Sequence, residues 1–237
     1  MIGSKSEIVD LLTREFTVEK IMISKSGLII GDSPENCSKL SGQHPDFDII
    51  PFSQNDVIMG YWEKKHKRII PISPKDLITS STDIFKLIDL FEKRMFYFVM
   101  KGTEITGYLH RVDLNNDLLK VPFYILLQSL ESSLLEKLNL NTDEIKLLDS
   151  QSRVKQLLHW HKARQKKDIH MEGVHGLYLS EILELSIKRK ILDISLPLKH
   201  DLEDFRNRVS HADKSLLNDI SEIPRLIKIK DCCLCEI

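Results

Sequence analysis

The residues with the clearest chemistry lie near the end of the sequence, where Arg206, Asn207 and His211 stand within six positions. An imidazole can take and return a proton near neutral pH, because its unperturbed pKa is about 6.5. A guanidinium keeps its charge and offers a planar fork of donors to phosphate oxygens. These groups could cleave RNA through attack of the 2′-hydroxyl, with His211 moving the proton and Arg206 stabilising charge. Neither role needs a metal, so no catalytic cofactor is predicted.

The spacing of these residues predicts that two chains build the site. On a helix with about 100° per residue, Asn207 and His211 share a face, whereas Arg206 and His211 diverge by roughly 140°. Two such helices meeting across a two-fold axis would bring both arginines and both histidines to one cleft. We therefore predict a homodimer in which Asn207 orients a catalytic side chain or a phosphate.

The pattern Arg-Asn-x-x-x-His, with Phe205 before it and Ala212 after it, resembles the signature of HEPN domains. The resemblance implies a compact helical bundle, and in many members of that family it implies a ribonuclease. A position near the end of a helical segment is what the architecture of the family requires. Some HEPN-like proteins lack cleavage activity and only bind partners, so a non-catalytic helical module is the alternative.

A second cationic segment, residues 151–167, combines basic residues with an aromatic residue and two histidines. Such a mixture suits an RNA backbone with a base stacked on the aromatic ring. The residues predicted to bind single-stranded RNA are Trp160, Lys162 and Arg164, together with Arg208 from the motif above. The alternative is an amphipathic core helix whose apolar side chains face inward and whose cations are simply solvated.

The character of the sequence changes near residue 117. Before it, short β-rich runs such as residues 48–52 and 96–100 lie between turn signals. After it, apolar residues recur at helical spacing with few turn residues. We predict an α+β protein with two domains, an α/β domain over residues 1–116 and an all-α bundle over residues 117–237.

Two stretches of the first domain look like copies of one unit, a strand, a tight turn and a strand that ends in Gly-Tyr. The pairs Gly60-Tyr61 and Gly107-Tyr108 lie 47 positions apart, a separation typical of repeated supersecondary units. Residues 83–92 form an amphipathic run ahead of the second hairpin, with Ser81 or Thr82 as the predicted N-cap. The equivalent run in the first copy, residues 34–40, is shorter and more polar.

This repeat resembles a tandem pair of CBS domains, in which two β-α-β-β-α units pack through their sheets and leave a cleft that commonly takes an adenine nucleotide. The resemblance covers residues from about 15 to 116 and is better in the second copy. The closing pattern of the family, Gly-x-x-Thr-x-x-Asp, reads Gly107-Tyr108-Leu109-His110-Arg111-Val112-Asp113 here. It implies a ligand site at Gly107, His110 and Asp113, with His110 replacing the usual hydroxyl residue and Asp113 accepting hydrogen bonds from ribose hydroxyls.

The first copy has lost the aspartate, since residues 60–66 read Gly-Tyr-Trp-Glu-Lys-Lys-His. At most one competent nucleotide site is therefore expected. The alternative is that Asp113 only caps a following helix and that the pair is a packing or dimerisation module.

Composition restricts the partners and the setting. With 34 basic and 35 acidic residues, the chain has no global field that attracts nucleic acid or a membrane. Its longest apolar runs fall short of a membrane span and its start has no signal-peptide core, which predicts a cytoplasmic protein without a membrane partner. Cys232, Cys233 and Cys235 form an incomplete zinc site and are interpreted as reduced thiols on a frayed tail, so no metal is predicted.

The combined prediction is a metal-independent endoribonuclease for single-stranded RNA, regulated by an adenine nucleotide and acting in growth limitation or defence. The alternative is a non-catalytic regulatory protein that senses a nucleotide through the first domain while the second domain binds a partner.

Overall fold

The computed structural model describes residues 5–138, 140–165 and 176–237. The chain divides into two compact units. The first, here called the sheet unit, consists of Asp10–Asn116 and Asp219–Ile223. The second, here called the helical unit, consists of the N-terminal residues up to Val9, Asp117–Asn218 and Pro224–Ile237. The first helix, α1 (Lys5–Glu15), contains the boundary between the two units at Val9.

The two predicted hairpins of the sheet unit are confirmed. The first joins β2 (Ile49–Gln54) to β3 (Val57–Glu63), and the second joins β6 (Phe96–Lys101) to β7 (Glu104–His110). Their registers are identical after a shift of 47 positions: Ile49 pairs with Glu63, and Phe96 pairs with His110. A register irregularity also falls at the same place in both, after Phe52 and after Val99. The repeat is therefore present in the structure as well as in the sequence.

Each copy contributes its first strand to the sheet of the other copy. β1 (Ile23–Ser24) precedes the first hairpin but pairs antiparallel with β7 of the second, through Ile23 and Tyr108. β4 (Arg68–Pro71) precedes the second hairpin but pairs antiparallel with β3 of the first, through Ile70 and Tyr61. These two residue pairs are again related by 47 positions, so the exchange is reciprocal.

A parallel strand completes each sheet on the side opposite the exchanged strand. β5 (Leu77–Thr79) pairs parallel with β6 and gives the order β1-β7-β6-β5. In the first copy the same place is taken by a single parallel bridge between Gly31 and Phe52, beside the three strands β2-β3-β4. The first copy is therefore reduced but keeps the same topology.

A helix follows the parallel strand in each copy. α2 (Pro34–Gln43) begins after Ser33, whose hydroxyl accepts from the Asn36 N–H. α3 (Ile84–Lys93) begins after Asp83, whose carboxylate accepts from the Lys86 N–H at 2.9 Å. The predicted cap at Ser81 or Thr82 is therefore wrong by one or two positions, because the carboxylate of Asp83 itself satisfies a free N–H at the start of the helix.

An aromatic cluster joins the two copies. Tyr61 of β3 contacts Phe96 and Phe98 of β6, with ring centroids 5.1 Å and 6.0 Å apart. Phe98 in turn contacts Tyr108 at 5.6 Å and is fully buried. Offset and edge-on arrangements of this kind stabilise beyond the apolar area that they remove from water. The two sheets of the predicted pair therefore do pack against each other.

The repeated glycines allow the exchanged strands to approach. A Cβ atom added to Gly107 would lie 2.8 Å from the carbonyl oxygen of Ile23 in β1. A Cβ atom added to Gly60 would lie 2.7 Å from the carbonyl oxygen of Ile70 in β4. Both obstacles are backbone atoms, which cannot rotate away as a side chain can. The Gly-Tyr repeat thus marks the two places where the copies exchange strands.

The helical unit is built around α4 (Lys120–Leu138), which packs against α7 (Leu179–Lys188) and α8 (Leu196–Ser210). The rings of Phe123 and Phe205 meet edge to face at 5.0 Å. The remaining helices are α5 (Thr142–Ile145), α6 (Gln151–Gln165) and α9 (Ile223–Glu236). All regular elements described between residues 117 and 237 are helical, as the apolar periodicity predicted.

One helical stretch among the described residues, Asp117–Leu138, is long and apolar enough to cross a membrane by length and composition. The sequence prediction considered only uninterrupted apolar runs, and here serine, glutamine and glutamate residues separate them. In the structure 56% of its most apolar window is buried within the protein. This degree of burial is typical of the core helix of a bundle.

The close approach of β1 to β7 gives the first prediction. Gly107→Ala should lower the free energy of unfolding by about 1–3 kcal/mol, because the new methyl group forces β1 away from its ladder position. Urea denaturation followed by circular dichroism measures this change. Gly42→Ala in α2 is the matched control: its added Cβ meets nothing within 4 Å, so it should be neutral or stabilising by up to about 1 kcal/mol. Equal stability of the two variants would contradict the proposed role of Gly107.

Candidate functional site

A cavity of about 370 Å³ opens in the sheet unit where β1 meets the end of β7. The start of β2 and the turn after β7 close it. Most of its wall is apolar. The lining consists of Ile23, Gly27, Leu28, Ile29, Asp46, Phe47, Asp48, Ile49, Pro51, Tyr108, His110, Val112 and Asp113. Two of the three residues predicted for the ligand site, His110 and Asp113, are therefore brought together in one cavity.

Gly107, the third residue predicted for this site, is not among the lining residues. Its missing side chain makes room for Met22 and for the carbonyl oxygen of Ile23. The position is thus occupied by glycine because the exchanged strand lies against it. The structure gives Gly107 an indirect role, since it holds in place the strand that supplies Ile23 to the wall.

Asp113 both caps the turn after β7 and faces the cavity. Its Oδ2 atom accepts from the His110 N–H at 2.7 Å, at the start of a 3-10 turn over Arg111–Asn115. The capping role weighed as the alternative is therefore present. Burial raises the pKa of Asp113, and the hydrogen bond from the His110 N–H offsets part of that rise. Its Oδ1 atom accepts no hydrogen bond from the described residues and remains available to a ligand.

The position of His110 fixes which ring nitrogen carries the proton in the neutral form. The Val112 N–H donates to Nδ1 at 3.4 Å, so Nδ1 is the acceptor and Nε2 is the donor. Nε2 is buried and has no hydrogen-bond partner within the described structure. A buried N–H without an acceptor costs on the order of 1–3 kcal/mol. This atom is therefore the point of the cavity wall that gains most from a ligand acceptor.

Asp48 places an acceptor beside this donor. Its Oδ2 atom lies 4.0 Å from Nε2 of His110, beyond hydrogen-bond distance, and its side chain is mostly exposed. With Asp46 and Asp113, the lining contains three carboxylates and no lysine or arginine. Sequence reasoning missed Asp46 and Asp48, because they precede the first hairpin and meet the end of the second only where the two copies pack together in the folded sheet unit.

The electrostatic environment of the cavity favours neutral forms. Burial lowers the pKa of His110, and the negative charges of Asp113 and Asp48 oppose this shift only in part. Burial also raises the pKa of Tyr108, with further contributions from Asp113 and Asp48. In each case the loss of water around the charged form is the largest cause.

The first copy lacks an equivalent site. The positions 47 residues before His110 and Asp113 are occupied by Glu63 and His66, and these two side chains hydrogen-bond to each other. After them the chain turns at Lys67, which has a positive φ of 48°, and enters β4. No turn comparable to the one over Arg111–Asn115 follows β3, which agrees with the expectation of a degenerate first copy.

The environment of His110 gives the second prediction. Its imidazole should titrate with a midpoint below the unperturbed value of 6.5, because the imidazolium would lose hydration in the cavity. Asp48→Asn and Asp113→Asn should each lower the midpoint further, since each removes a charge that favours the imidazolium. Two-dimensional NMR of the ring Hε1 signal, assigned with His110→Gln, measures these values. A midpoint at or above 6.5 would contradict the described burial.

In the helical unit the motif residues lie at the C-terminal end of α8. Asn207 and His211 are exposed, and Arg206 is partly exposed, with its Nε atom 3.7 Å from Oε1 of Glu131 in α4. Burial raises the pKa of Glu131, and the charge of Arg206 opposes that rise. Arg206, Asn207 and His211 are thus all accessible from solvent within a few residues of one helix end.

The helical relation assumed for His211 is wrong. α8 ends at Ser210, and His211 is its C-cap with extended backbone angles of φ −115° and ψ 121°. The ammonium group of Lys120 donates to the carbonyl oxygens of His211 at 3.5 Å and of Ala212 at 3.2 Å. These bonds satisfy carbonyl groups at and beyond the helix end. The angle of 140° between Arg206 and His211 therefore does not apply.

Arg208 is buried in the packing of the helical unit, contrary to its predicted contact with RNA. Its guanidinium forms an ion pair with Asp204 at 2.7 Å and donates to the carbonyl oxygen of Leu216 at 3.3 Å. Only 8% of the residue is exposed. Its role is to fix the segment after α8, and an approaching polynucleotide would not reach it.

The three predicted RNA-binding residues of α6 are exposed. Val154 and Leu157 face the core, as the amphipathic alternative required, whereas Trp160, Lys162 and Arg164 face solvent. The guanidinium of Arg153 lies 5.3 Å from the centre of the Trp160 ring and 4.4 Å from that of Tyr178. Sequence reasoning missed Tyr178, which is distant in sequence and joins α6 only in the folded unit.

The cysteine cluster lies on α9, so the expected frayed tail is instead helical. Cys233 is buried, and burial raises the pKa of Cys232 to about 11. The thiols are unpaired. In the part of the chain that the structure describes, no three side chains of histidine, cysteine, aspartate or glutamate are grouped so as to hold a metal ion.

No protein-family model and no curated protein matches the chain. Solved structures of CBS domains are similar to about half of it. They include the CBS domain of a bacterial CNNM/CorC family Mg²⁺ transporter in complex with ATP, at 17% identity, covering 47% of this chain and 94% of the other with a TM-score of 0.36. A CBS domain-containing protein from Bacillus anthracis is similar at 12% identity, covering 44% and 93% with a TM-score of 0.37.

A hemolysin-like protein from Oenococcus oeni that contains a CBS domain is similar at 8% identity, covering 47% of this chain and 96% of the other with a TM-score of 0.35. Similarity at this level concerns the fold alone.

Proposed function

We propose that the sheet unit binds an adenosine-containing regulatory ligand in the cavity beside β7. The observation that carries the proposal is the position of Asp113, a partly buried carboxylate with one free oxygen in the wall of a largely apolar cavity. A carboxylate offers acceptor lone pairs to the two adjacent hydroxyls of a ribose. The apolar wall suits the faces of a purine, which binds by dispersion and by removal of apolar surface from water.

The size and charge of the cavity indicate which part of the ligand enters. A volume of about 370 Å³ lies at the lower end of the range for small-molecule sites, so it accommodates a nucleoside better than a nucleoside triphosphate. The three carboxylates of the lining would repel phosphates. Phosphate groups must therefore project out of the cavity, while His110 Nε2 and Asp48 offer a donor and an acceptor to the base.

Removal of the ribose acceptor is the third prediction. Asp113→Asn should weaken adenosine binding about tenfold or more, because a hydrogen bond to a charged group is worth about 1.5–3 kcal/mol. The asparagine oxygen can still cap the His110 N–H, so the turn should survive. Isothermal titration calorimetry of the full chain measures both proteins. Asp32→Asn, an exposed carboxylate outside the lining, is the matched control and should bind normally.

Changing the ligand instead of the protein tests the same contact between Asp113 and the ribose. The effect of Asp113→Asn should shrink with 2′-deoxyadenosine, because one partner hydroxyl is already missing. Adenosine should bind at least as tightly as AMP or ATP, the last of which is bound in one of the similar structures. No binding of any of these ligands, or an equal loss for ribose and deoxyribose forms, would contradict the assignment of Asp113.

We also propose, as a second function, that the helical unit cleaves single-stranded RNA without a metal. The observation that favours it is the joint exposure of Arg206, Asn207 and His211 at the end of α8, while the intervening Arg208 and Val209 are buried. An exposed guanidinium and an exposed imidazole supply charge stabilisation and proton transfer for attack by a 2′-hydroxyl. A homodimer that brings two such helix ends together remains part of this proposal.

Cleavage gives the fourth prediction. Arg206→Ala and His211→Ala should each reduce cleavage of a fluorescent single-stranded RNA in EDTA by about 100-fold or more, since each removes one of the two catalytic roles. His200→Ala is the matched control, because this histidine is also exposed on α8 but lies six positions before Arg206, the first residue of the motif. It should cleave normally, and 2′-O-methyl RNA should resist cleavage.

Equal cleavage by all variants would indicate a contaminating nuclease. No cleavage by any of them would favour the non-catalytic alternative, in which the helical unit binds a partner under control of the sheet unit. The ligand could then act only through different affinities for two conformations of the protein.

A further inference from the structure

The outer face of α6 carries basic residues and no acidic ones. The helix Gln151–Gln165 contains no acidic residue, although the chain as a whole carries slightly more acidic than basic residues. Lys155, His159 and Lys162 recur at spacings of four and three, so they lie along one exposed stripe. Arg164 is exposed at the end of the helix. This stripe is a local basic surface on a protein with no global positive field.

Two aromatic rings lie beside this stripe and remain open to solvent. Trp160 is 38% exposed and Tyr178 is 62% exposed. Tyrosine and tryptophan are enriched at interfaces, because each joins an apolar ring to a polar group. Two such rings beside a basic stripe therefore form a candidate binding surface.

The rings are held in place by one arginine. Arg153 lies within cation–π distance of both rings. Its guanidinium is itself fixed by Glu181 at 2.6 Å, by the Gln156 side chain at 2.7 Å and by the Gly176 carbonyl oxygen at 2.5 Å. These bonds neutralise Arg153 and orient it, so it positions the two rings, while Lys155 and Lys162 are exposed on the same helix. The rings are thus ordered before any partner binds, which lowers the entropic cost of stacking.

We infer that this face of α6 binds single-stranded nucleic acid, with bases stacked on Trp160 and Tyr178 and phosphates on Lys155, Lys162 and Arg164. A polyanion with flat, exposed aromatic groups is the partner that suits both the basic stripe and the two aromatic rings. A duplex fits poorly, because its bases are already stacked and paired. The inference rests on the RNA-directed function proposed above and adds a binding surface to it. Binding and cleavage are measured separately, so the two proposals can fail independently.

The fifth prediction concerns this binding. Fluorescence anisotropy of the full chain with a labelled oligothymidylate is the main probe, because DNA has no 2′-hydroxyl and cannot be cut by the proposed reaction. Trp160→Ala should weaken binding about tenfold, as expected for the loss of one base stack. Trp160→Phe keeps a ring and should retain most of the affinity, which separates stacking from a folding defect. An oligouridylate arm distinguishes RNA from DNA as the preferred strand.

Salt dependence tests the phosphate contacts. Three cations on single-stranded nucleic acid predict a slope of about −2 for the logarithm of the binding constant against the logarithm of salt concentration. Lys162→Ala should reduce the slope by about 0.7. Lys146→Ala, an exposed lysine of the same unit outside α6, is the matched control and should leave the slope unchanged.

The inference is overturned if no oligonucleotide binds at low salt, or if Trp160→Ala and Lys162→Ala bind as tightly as the natural chain. Displacement by heparin with no effect of Trp160→Ala would also overturn it, because the surface would then be a general anion patch without stacking. Binding without cleavage would leave the inference intact and count only against the ribonuclease proposal.

Discussion

The sheet unit depends on the reciprocal exchange of one short strand between its two copies. Without it, β1 and β4 would be isolated segments of two and four residues, too short to be stable as strands alone. When they pair with β7 and β3, they complete the two sheets, so neither copy has a complete sheet without the other. The exchange is possible because Gly60 and Gly107 leave space for a neighbouring backbone. A single missing Cβ atom in each copy thus permits the whole arrangement.

The candidate ligand site is a product of this exchange. Ile23 reaches the cavity because β1 lies beside β7, and Asp48 faces His110 because the copies pack through their aromatic cluster. The polar groups of the wall are only partly satisfied by the protein. Asp113 is bonded through one oxygen, and Nε2 of His110 has no partner within the described structure. Such incomplete satisfaction is uncommon in protein interiors and often marks a functional position.

Much of the sheet unit was predictable from local patterns. The Gly-Tyr pairs gave the period of 47 residues, and both predicted hairpins form with an identical register. His110 and Asp113 were identified from one motif and do share a cavity. The partners Asp46 and Asp48 were not predictable in the same way. They approach the motif through packing between distant segments, which no local pattern of residues encodes.

In the helical unit, local patterns predicted the helices and the exposed side of α6, but neither the end of α8 nor the burial of Arg208. No glycine or proline marks the end of α8 at Ser210, and Lys120, distant in sequence, donates to the carbonyl groups that follow. Arg208 has the same residue type as Arg206 but the opposite environment, since Asp204 lies one turn before it and pairs with it. Exposure of an arginine within a motif thus depends on neighbours that the motif does not include.

The turn at Lys67 has a consequence for stoichiometry. By sending the chain directly into β4, it removes from the first copy the segment that carries Asp113 in the second, although the rest of the internal pseudo-symmetry is retained. Each polypeptide would then hold a single ligand at the assigned position. Any sigmoidal response to ligand concentration would require several polypeptides to associate, because one molecule would have no second equivalent site with which the first could cooperate.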